Sequence, residues 1–230
     1  MIRQRMPLTT AALAVAAMLT LHCPTLAGEP APAGQAEIRL PKPKTQGGTS
    51  LAETLAKRRT HRKISDEPLT REQVSQLCWA AQGITEPKRG LRTAPSAGAL
   101  YPIVVFLIDR TGLYEYQPRQ HALRRTIAGD IRKNAGSGSL RQSAVRSAPV
   151  CMVLAMDVAR TAAKYHKDAE RYCLLEAGHV AQNVLLQATA LGLVSVPIGG
   201  LDEAKLAAVL KLPDRLRPVY LLPVGHPTRD

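Results

Sequence analysis

Apolar runs of strand length recur along the second half of the chain. Residues 103–108 are continuously apolar, a turn-like stretch covers 109–112, and a second short run covers 113–116. This pattern predicts a β-hairpin. Three more apolar runs predict further buried strands, at 150–156, 193–198 and 219–224.

Two helix starts precede these strands. Ser50 is followed by Glu53, and Thr70 by Gln73, at the spacing of an N-terminal capping box. The sequence therefore predicts two helices with a basic turn between them.

A third, longer helix is predicted over residues 168–191. This stretch contains no proline and carries apolar side chains on nearly every face, which indicates a helix that is buried all round. Because a small domain rarely covers so long a helix, part of it is expected to bury against a second subunit. The small residues Ala177 and Ala181 would permit that close approach.

The first 27 residues have the composition of a signal peptide. Arg3 and Arg5 precede an apolar run over 8–21 that is short for a bilayer span, and small residues before Gly28 favour cleavage after Ala27. The sequence thus predicts export, to the periplasm, with no stable membrane insertion after cleavage. Lipidation of Cys23 is the less favoured alternative, because a histidine precedes it where a small residue is expected.

Residues 28–49 are rich in proline and glycine and predict a flexible tether, so the folded domain is expected over 50–230. Beyond Cys23, the cysteines are Cys78, Cys151 and Cys173, with neither a close pair nor a zinc-type spacing. One disulfide is conceivable. The favoured interpretation is three small apolar residues within buried elements.

Charge narrows the choice of partners. The net charge is +13, and without Arg3 and Arg5 the balance is 29 basic to 18 acidic residues. This excess favours an anionic partner, such as a phosphorylated cofactor or substrate. Aromatic residues make up only 3% of the chain, which argues against a nucleic-acid stacking surface.

Three segments could carry chemistry. The first is the cationic turn, residues 57–63, where Arg58, Thr60 and Arg62 could together bind a phosphate. The alternative is an ordinary solvated basic surface.

The second segment, residues 93–102, combines small residues with two prolines. It could approach a flat ligand or be a simple turn. The third, residues 196–200, ends a strand in two glycines before a helix, where backbone amides could face a cofactor or merely form the connection.

In their order and spacing these segments resemble the nitroreductase superfamily. The stretch Ala94–Pro102, reading APSAGALYP, is similar to the SagB-type dehydrogenase branch, as are residues 176–183 and 197–200. The resemblance covers Ser50 to Pro227. It implies an α+β fold with a central, mainly antiparallel sheet flanked by helices, and an intertwined homodimer whose long helices are buried at the interface.

The resemblance also implies FMN as the cofactor and assigns residues to it. Arg58, Thr60 and Arg62 match the residues that hold the phosphate and ribityl chain, with help from Arg59, and Arg229 could reach the phosphate from the C-terminus. The loop of Pro95, Ser96, Ala97 and Gly98 would approach the flavin from the partner subunit. Ile198, Gly199 and Gly200 match the segment beside flavin N5, although Gly199 stands where many relatives carry an acidic residue.

The implied activity is hydride transfer through the flavin to or from a small organic substrate, with NAD(P)H as a possible donor. Two alternatives stay open: a SagB-type dehydrogenase of azoline peptides, and an exported basic binding protein that keeps the fold without the flavin. Lys164 and Tyr165 resemble a lysine and tyrosine of the azoline-oxidising enzymes. His179 is expected to be a core residue satisfied by Glu176 and Asn183. The sequence contains no metal-ligand cluster, nucleophile elbow or Rossmann fingerprint.

Overall fold

The computed structural model describes residues 37–139 and 142–228. The predicted signal peptide, the first part of the predicted tether and Arg229 lie outside these residues. The strands are β1 (Glu37–Arg39), β2 (Ile84–Glu86), β3 (Leu91–Arg92), β4 (Ile103–Asp109), β5 (Gly112–Gln117), β6 (Ala122–Ala128), β7 (Val150–Met156), β8 (Val194–Ser195) and β9 (Arg217–Gly225). The helices are α1 (Leu51–Lys57), α2 (Arg71–Gln82), α3 (Arg132–Ser137), α4 (Gln142–Ser147), α5 (Val158–Tyr165), α6 (Ala169–Ala190) and α7 (Glu203–Val209).

Seven strands form one antiparallel sheet in the order β1-β6-β5-β4-β7-β9-β8. The predicted hairpin is confirmed as β4 and β5, and the run at 150–156 is the fully buried strand β7. The central antiparallel sheet and flanking helices are those that the resemblance implied. β2 and β3 form a separate small hairpin.

The sheet separates two apolar clusters, which follow from the alternation of side chains along a strand. On β4, Val105 and Leu107 point to the side of α2 and α6, whereas Phe106 and Ile108 point to the opposite side. Both faces of the central strands are therefore buried from solvent, which explains their continuous apolar sequence.

The two predicted N-caps are present. The Thr70 hydroxyl accepts from the Gln73 backbone N–H, and the Gln73 side chain accepts from the Thr70 backbone, which completes a capping box on α2. Ser50 caps α1 through the backbone N–H of Glu53. The Glu53 carboxylate instead pairs with Lys57 at 2.6 Å, so α1 has only half of the box.

The long helix is present as α6, but its own chain covers one side only. Ala177 and Ala181 are buried within the core cluster that includes residues of α2, so the prediction that they meet a second subunit is wrong. The opposite face carries Leu174 and Leu175, each about half exposed (49% and 50%), and the exposed His179.

The predicted tether is ordered from residue 37 onward. Glu37–Arg39 pairs with β6 as an edge strand, and the Lys44 backbone exchanges two hydrogen bonds with the Gln76 side chain, at 2.9 and 3.0 Å. These contacts tie the second part of the predicted tether to the domain, because the extended backbone that proline favours is also what a sheet edge can bind.

The three described cysteines are free and buried. Burial raises the pKa of Cys78 and Cys151 to about 12, so neither thiol is a nucleophile near neutral pH. Among the helices that the structure describes, none has the length and apolar character to cross a membrane.

Candidate functional site

The cationic turn runs along one edge of the sheet. Arg58 ends α1, and the chain then forms a parallel bridge between Thr60 and Ser195 of β8. The His61 N–H donates to the Ser195 carbonyl at 3.0 Å. Backbone pairing therefore fixes the turn against the strand that leads to Ile198, Gly199 and Gly200.

The side chains of this turn are open to a ligand. Arg58 is half-buried, whereas Thr60 and Arg62 are exposed, and neither arginine side chain has a partner within residues 37–139 and 142–228. Arg59 differs, because its guanidinium donates to the carbonyls of Ala56 and Arg58, at 3.0 and 2.7 Å, and closes the end of α1. The turn thus carries two guanidinium groups without a partner among the described residues, and no acidic residue interrupts the sequence from 57 to 63.

The glycine segment follows β8 directly. Ile198 exchanges two backbone hydrogen bonds with Leu221 of β9, at 2.8 and 3.0 Å. Gly199 is exposed, and a Cβ there would lie 3.3 Å from the edge of the Tyr220 ring. Two residues lie between Ser195 and Ile198, so at about 3.3 Å per residue these positions are at most roughly 10 Å apart. The structure therefore brings two of the three predicted segments to the same sheet edge.

The remaining predicted segment, the loop over residues 94–102, lies against α5 rather than at this sheet edge. A Cβ on Gly98 would lie 3.1 Å from Lys164 Nζ and 3.1 Å from the Tyr165 hydroxyl, so this loop contacts the end of α5. Within the described ranges, no hydrogen bond or bridge joins it to the cationic turn or to Gly199. Gly98, Ala99 and Tyr101 all adopt left-handed backbone, with φ of 61°, 54° and 50°. Such a conformation persists only where the surroundings determine it.

A network of buried, hydrogen-bonded side chains supports this loop from the core. The Gln82 side chain donates to Glu176 Oε1 at 3.1 Å and accepts from Arg92 Nη1 at 3.2 Å. Glu176 is only 2% exposed on α6. The Ser96 hydroxyl and the Ile103 backbone N–H also hydrogen-bond to its carboxylate. One carboxylate thus ties together α2, β4 and the loop.

Tyr101 is the second point of support. Its hydroxyl accepts from the Arg92 backbone N–H at 3.1 Å, and the Arg92 guanidinium lies 4.5 Å above its ring, a cation–π distance. Its backbone N–H donates to Ser96 Oγ at 2.8 Å, while its carbonyl accepts from Arg160 at 2.7 Å.

Burial perturbs the ionisation of this network. It raises the pKa of Glu176, and the hydrogen bonds from Ser96, Gln82 and Ile103 together with the charge of Arg92 counteract part of the shift. Burial also lowers the pKa of Arg92, assisted by the nearby charge of Arg160. Each charge is therefore stabilised by a partner that the fold positions.

Sequence reasoning missed several of these residues. Gln82, Arg92 and Tyr220 belong to no recognised motif, and their roles depend on contacts between distant segments. Glu176 was predicted to satisfy His179, but it turns toward the core while His179 faces solvent. Among the described residues, no group of histidine, cysteine and acidic side chains could hold a metal ion.

Comparison with known proteins identifies the family of this chain. The nitroreductase family model matches residues 55–226. A nitroreductase-type protein of Methanocaldococcus jannaschii is 35% identical over 182 residues, which cover 76% of this chain and 90% of that protein. A nitroreductase-type crystal structure from Ralstonia eutropha JMP134 is 29% identical with a TM-score of 0.76, and covers 84% of this chain and 90% of that one.

The same fold occurs in the NADPH:FMN oxidoreductase of Vibrio harveyi, solved as a complex with NAD⁺. That structure is 23% identical with a TM-score of 0.58, and covers 78% of this chain and 69% of that one. The family match spans the cationic turn, the loop over 94–102 and the glycine segment alike. The chain belongs to the nitroreductase family of oxidoreductases.

Proposed function

We propose that this protein is an FMN-dependent oxidoreductase that transfers a hydride to or from a small organic substrate. The observation that carries the proposal is a pair of guanidinium groups, those of Arg58 and Arg62, that have no partner among the described residues. They belong to the turn that pairs with the sheet edge leading to Gly199 and Gly200. A phosphate at one end and a flat ring at the other match these two features.

The residues present fit the cofactor. Arginine donors form charge-assisted hydrogen bonds to phosphate oxygens, and the Thr60 hydroxyl adds a donor beside them. The backbone N–H groups of Gly199 and Gly200 have no hydrogen-bond partner within the described residues, so they are available to the edge of a ring. The absence of a side chain at Gly199 leaves that approach open, with Tyr220 as its neighbour.

FMN, when bound, would accept and release a hydride at N5. The chain would bind the phosphate through Arg58 and Arg62 and direct the amides of Gly199 and Gly200 toward developing negative charge. Nothing at Gly199 can contact the substrate through a side chain, so substrate choice would depend on neighbouring surfaces. The Vibrio harveyi relative is described as using NADPH, which makes NAD(P)H the donor to test first.

A homodimer would complete the site. Leu51 and Leu55 of α1 are 66% and 52% exposed, and α1 contacts α6, whose Leu174 and Leu175 are also exposed. Four large apolar side chains on neighbouring helices favour burial against a second copy. In such a dimer the loop of Pro95 to Gly98 would be supplied by the partner subunit.

A second candidate function is dehydrogenation of a peptide-derived heterocycle, as in SagB-type enzymes. It is favoured by the position of Lys164 and Tyr165, whose polar atoms lie directly against Gly98 of the loop. An ammonium and a phenol there could move protons beside the ring. Changing Lys164 to Met and Tyr165 to Phe should abolish azoline oxidation, while reduction of a nitroaromatic by NAD(P)H continues.

The deciding experiment is a visible absorption spectrum of the purified protein before and after incubation with FMN. Flavin bands that survive desalting would establish the cofactor. A colourless protein that does not bind added FMN would contradict the proposal and favour an exported, basic binding protein.

N-terminal sequencing of the protein purified from cells tests export, because cleavage after Ala27 predicts a start at Gly28.

A further inference from the structure

One cavity is lined by none of the residues proposed to bind FMN. It has a volume of about 560 Å³ and lies between β1, the end of α2 and the turn that joins β5 to β6. Sites for small molecules commonly measure about 300–1,000 Å³. None of its lining residues belongs to the cationic turn, the loop over 94–102 or the glycine segment.

The cavity is lined by positive charge without compensation. Arg39, Lys42 and Arg119 contribute to the wall, and no acidic residue does. Their side chains have neither an ion pair nor a hydrogen bond within residues 37–139 and 142–228. Three like charges around one concave surface favour an anion.

An aromatic surface accompanies this charge. Trp79, the single tryptophan of the chain, is half-buried in the wall together with Ile84 and Pro87. Its position depends on Gly83, because a Cβ at that residue would collide with the indole ring. A rigid indole beside prolines provides a stacking surface for one flat ring, rather than for a strand of bases.

Hydrogen bonds within the protein hold the wall of the cavity in place. His121 has left-handed backbone, with φ of 47°. Its ring bonds the Tyr116 hydroxyl at 2.9 Å on one side and the Ser75 hydroxyl at 2.7 Å on the other. The Pro41 carbonyl lies 3.0 Å from the same ring. These bonds fix the extended segment of Lys42 against α2, so little ordering would be needed on binding.

We propose that this cavity binds a flat aromatic ligand that carries phosphate or carboxylate charge. Trp79 stacks on the ring, and the guanidinium groups of Arg39 and Arg119 together with Lys42 hold the anionic group. The site is separate from the proposed flavin site and does not depend on it.

Trp79 makes the test direct, because tryptophan emission reports on this cavity alone. The purified protein is titrated with adenosine monophosphate, which has both a ring and a phosphate, and with adenosine and ribose 5-phosphate, which each have one. Adenosine monophosphate should quench the emission saturably, and each half-molecule should bind about tenfold more weakly or worse.

Matched variants locate the site. Arg39→Gln with Arg119→Gln should weaken binding of adenosine monophosphate at least about tenfold. Gly83→Ala should also weaken it, by displacing Trp79. Arg89→Gln, a nearby exposed residue that pairs with Glu86 outside the cavity, should leave the affinity unchanged. Arg58→Ala with Arg62→Ala should also leave it unchanged, which separates this site from the flavin proposal.

Three results would overturn the proposal. The first is no saturable change in tryptophan emission at millimolar adenosine monophosphate. The second is an equal affinity in the Arg39/Arg119 double variant and in Arg89→Gln, with both proteins folded by circular dichroism. The third is equally tight binding of ribose 5-phosphate, which would remove the role of the ring.

Discussion

The cationic turn and the loop over residues 94–102 are held in opposite ways. At the turn, backbone bridges fix the chain while the Arg58 and Arg62 side chains have no partner among the described residues. At the loop, side chains support the backbone, through Glu176, Gln82, Arg92 and Tyr101. One region keeps its donors free, and the other uses its polar groups internally.

This difference follows from the task proposed for each region. A phosphate-binding site needs hydrogen-bond donors that no protein group occupies. Arginines without a partner are tolerated where water can solvate their charge. A loop that meets a ring edge needs a precise backbone, and its three left-handed residues require external support. Buried polar groups give such support through the hydrogen bonds that they form with one another. The two regions should therefore respond differently to substitution.

The largest expected effect is on FMN affinity at the turn. Arg58→Ala combined with Arg62→Ala removes two charge-assisted donors, each worth about 1.5–3 kcal/mol. The dissociation constant should rise by roughly 10²- to 10⁴-fold, measured by flavin fluorescence, with little change in the melting temperature. Lys88→Ala with Arg89→Ala removes the same charge from the exposed tip of the β2–β3 hairpin. If that control weakened FMN binding equally, the loss would come from the overall positive charge rather than from direct contacts to the phosphate.

Glu176→Ala should produce the reverse pattern. It leaves the donors of Ser96, Gln82 and Ile103 without their buried acceptor, at a cost of about 3 kcal/mol in the free energy of unfolding. Turnover should fall roughly 10- to 100-fold because the loop shifts. FMN affinity should stay within about threefold, since no hydrogen bond or bridge among the described residues joins the turn to the network.

Glu176→Gln is the control for this prediction. It keeps one acceptor oxygen and the side-chain volume, so its loss of stability and turnover should be smaller than that of Glu176→Ala. A variant that lost FMN affinity and turnover in equal proportion would show that Glu176 acts on the whole fold rather than on the loop.

Much of the fold was predictable because its signals are local. The continuous run at 150–156 and the hairpin at 103–116 are correct since a strand buried on both faces must be apolar throughout. β6 was missed because Arg124 and Arg125 interrupt its pattern. Arg124 is tolerated there by its pairing with Glu115 of β5 at 2.5 Å, a contact between strands that no local pattern reveals.

The site was predictable only in part for the same reason. The clustered charges of the turn and the paired glycines at 199 and 200 are visible along the sequence, and the structure brings them together. The support of the loop is not visible, because Gln82, Arg92 and Glu176 are separated along the chain by up to 94 residues. Nothing within residues 168–191 indicates which polar side chain faces the core.

Gly98→Ala tests the loop on a finer scale. Alanine at a left-handed position costs about 1–2 kcal/mol, and its Cβ would press on Lys164 and Tyr165. Gly90→Ala has a similar φ of 67° with no atom within 4 Å, so it bears only the conformational cost. Thermal or urea unfolding should show Gly98→Ala to be less stable than Gly90→Ala by about 1 kcal/mol. Equal losses would mean that the α5 contact yields freely and does not position the loop.

The smallest expected effect is the pH dependence that burial imposes on Glu176. Its pKa is raised in the folded protein, whereas an unfolded glutamate titrates near about 4.3. Its contribution to the free energy of unfolding is therefore fully present below that pH and is lost as the pH rises through the folded pKa. Glu176→Gln does not titrate, so the stability of the wild type minus that of this variant should decrease as the pH rises above about 4. Urea unfolding at several pH values measures the difference. A difference that stayed constant or increased over this range would mean that burial does not raise the pKa of Glu176. Ser96, Gln82 and Arg92 would then fully offset the cost of burying the charged carboxylate that supports the loop.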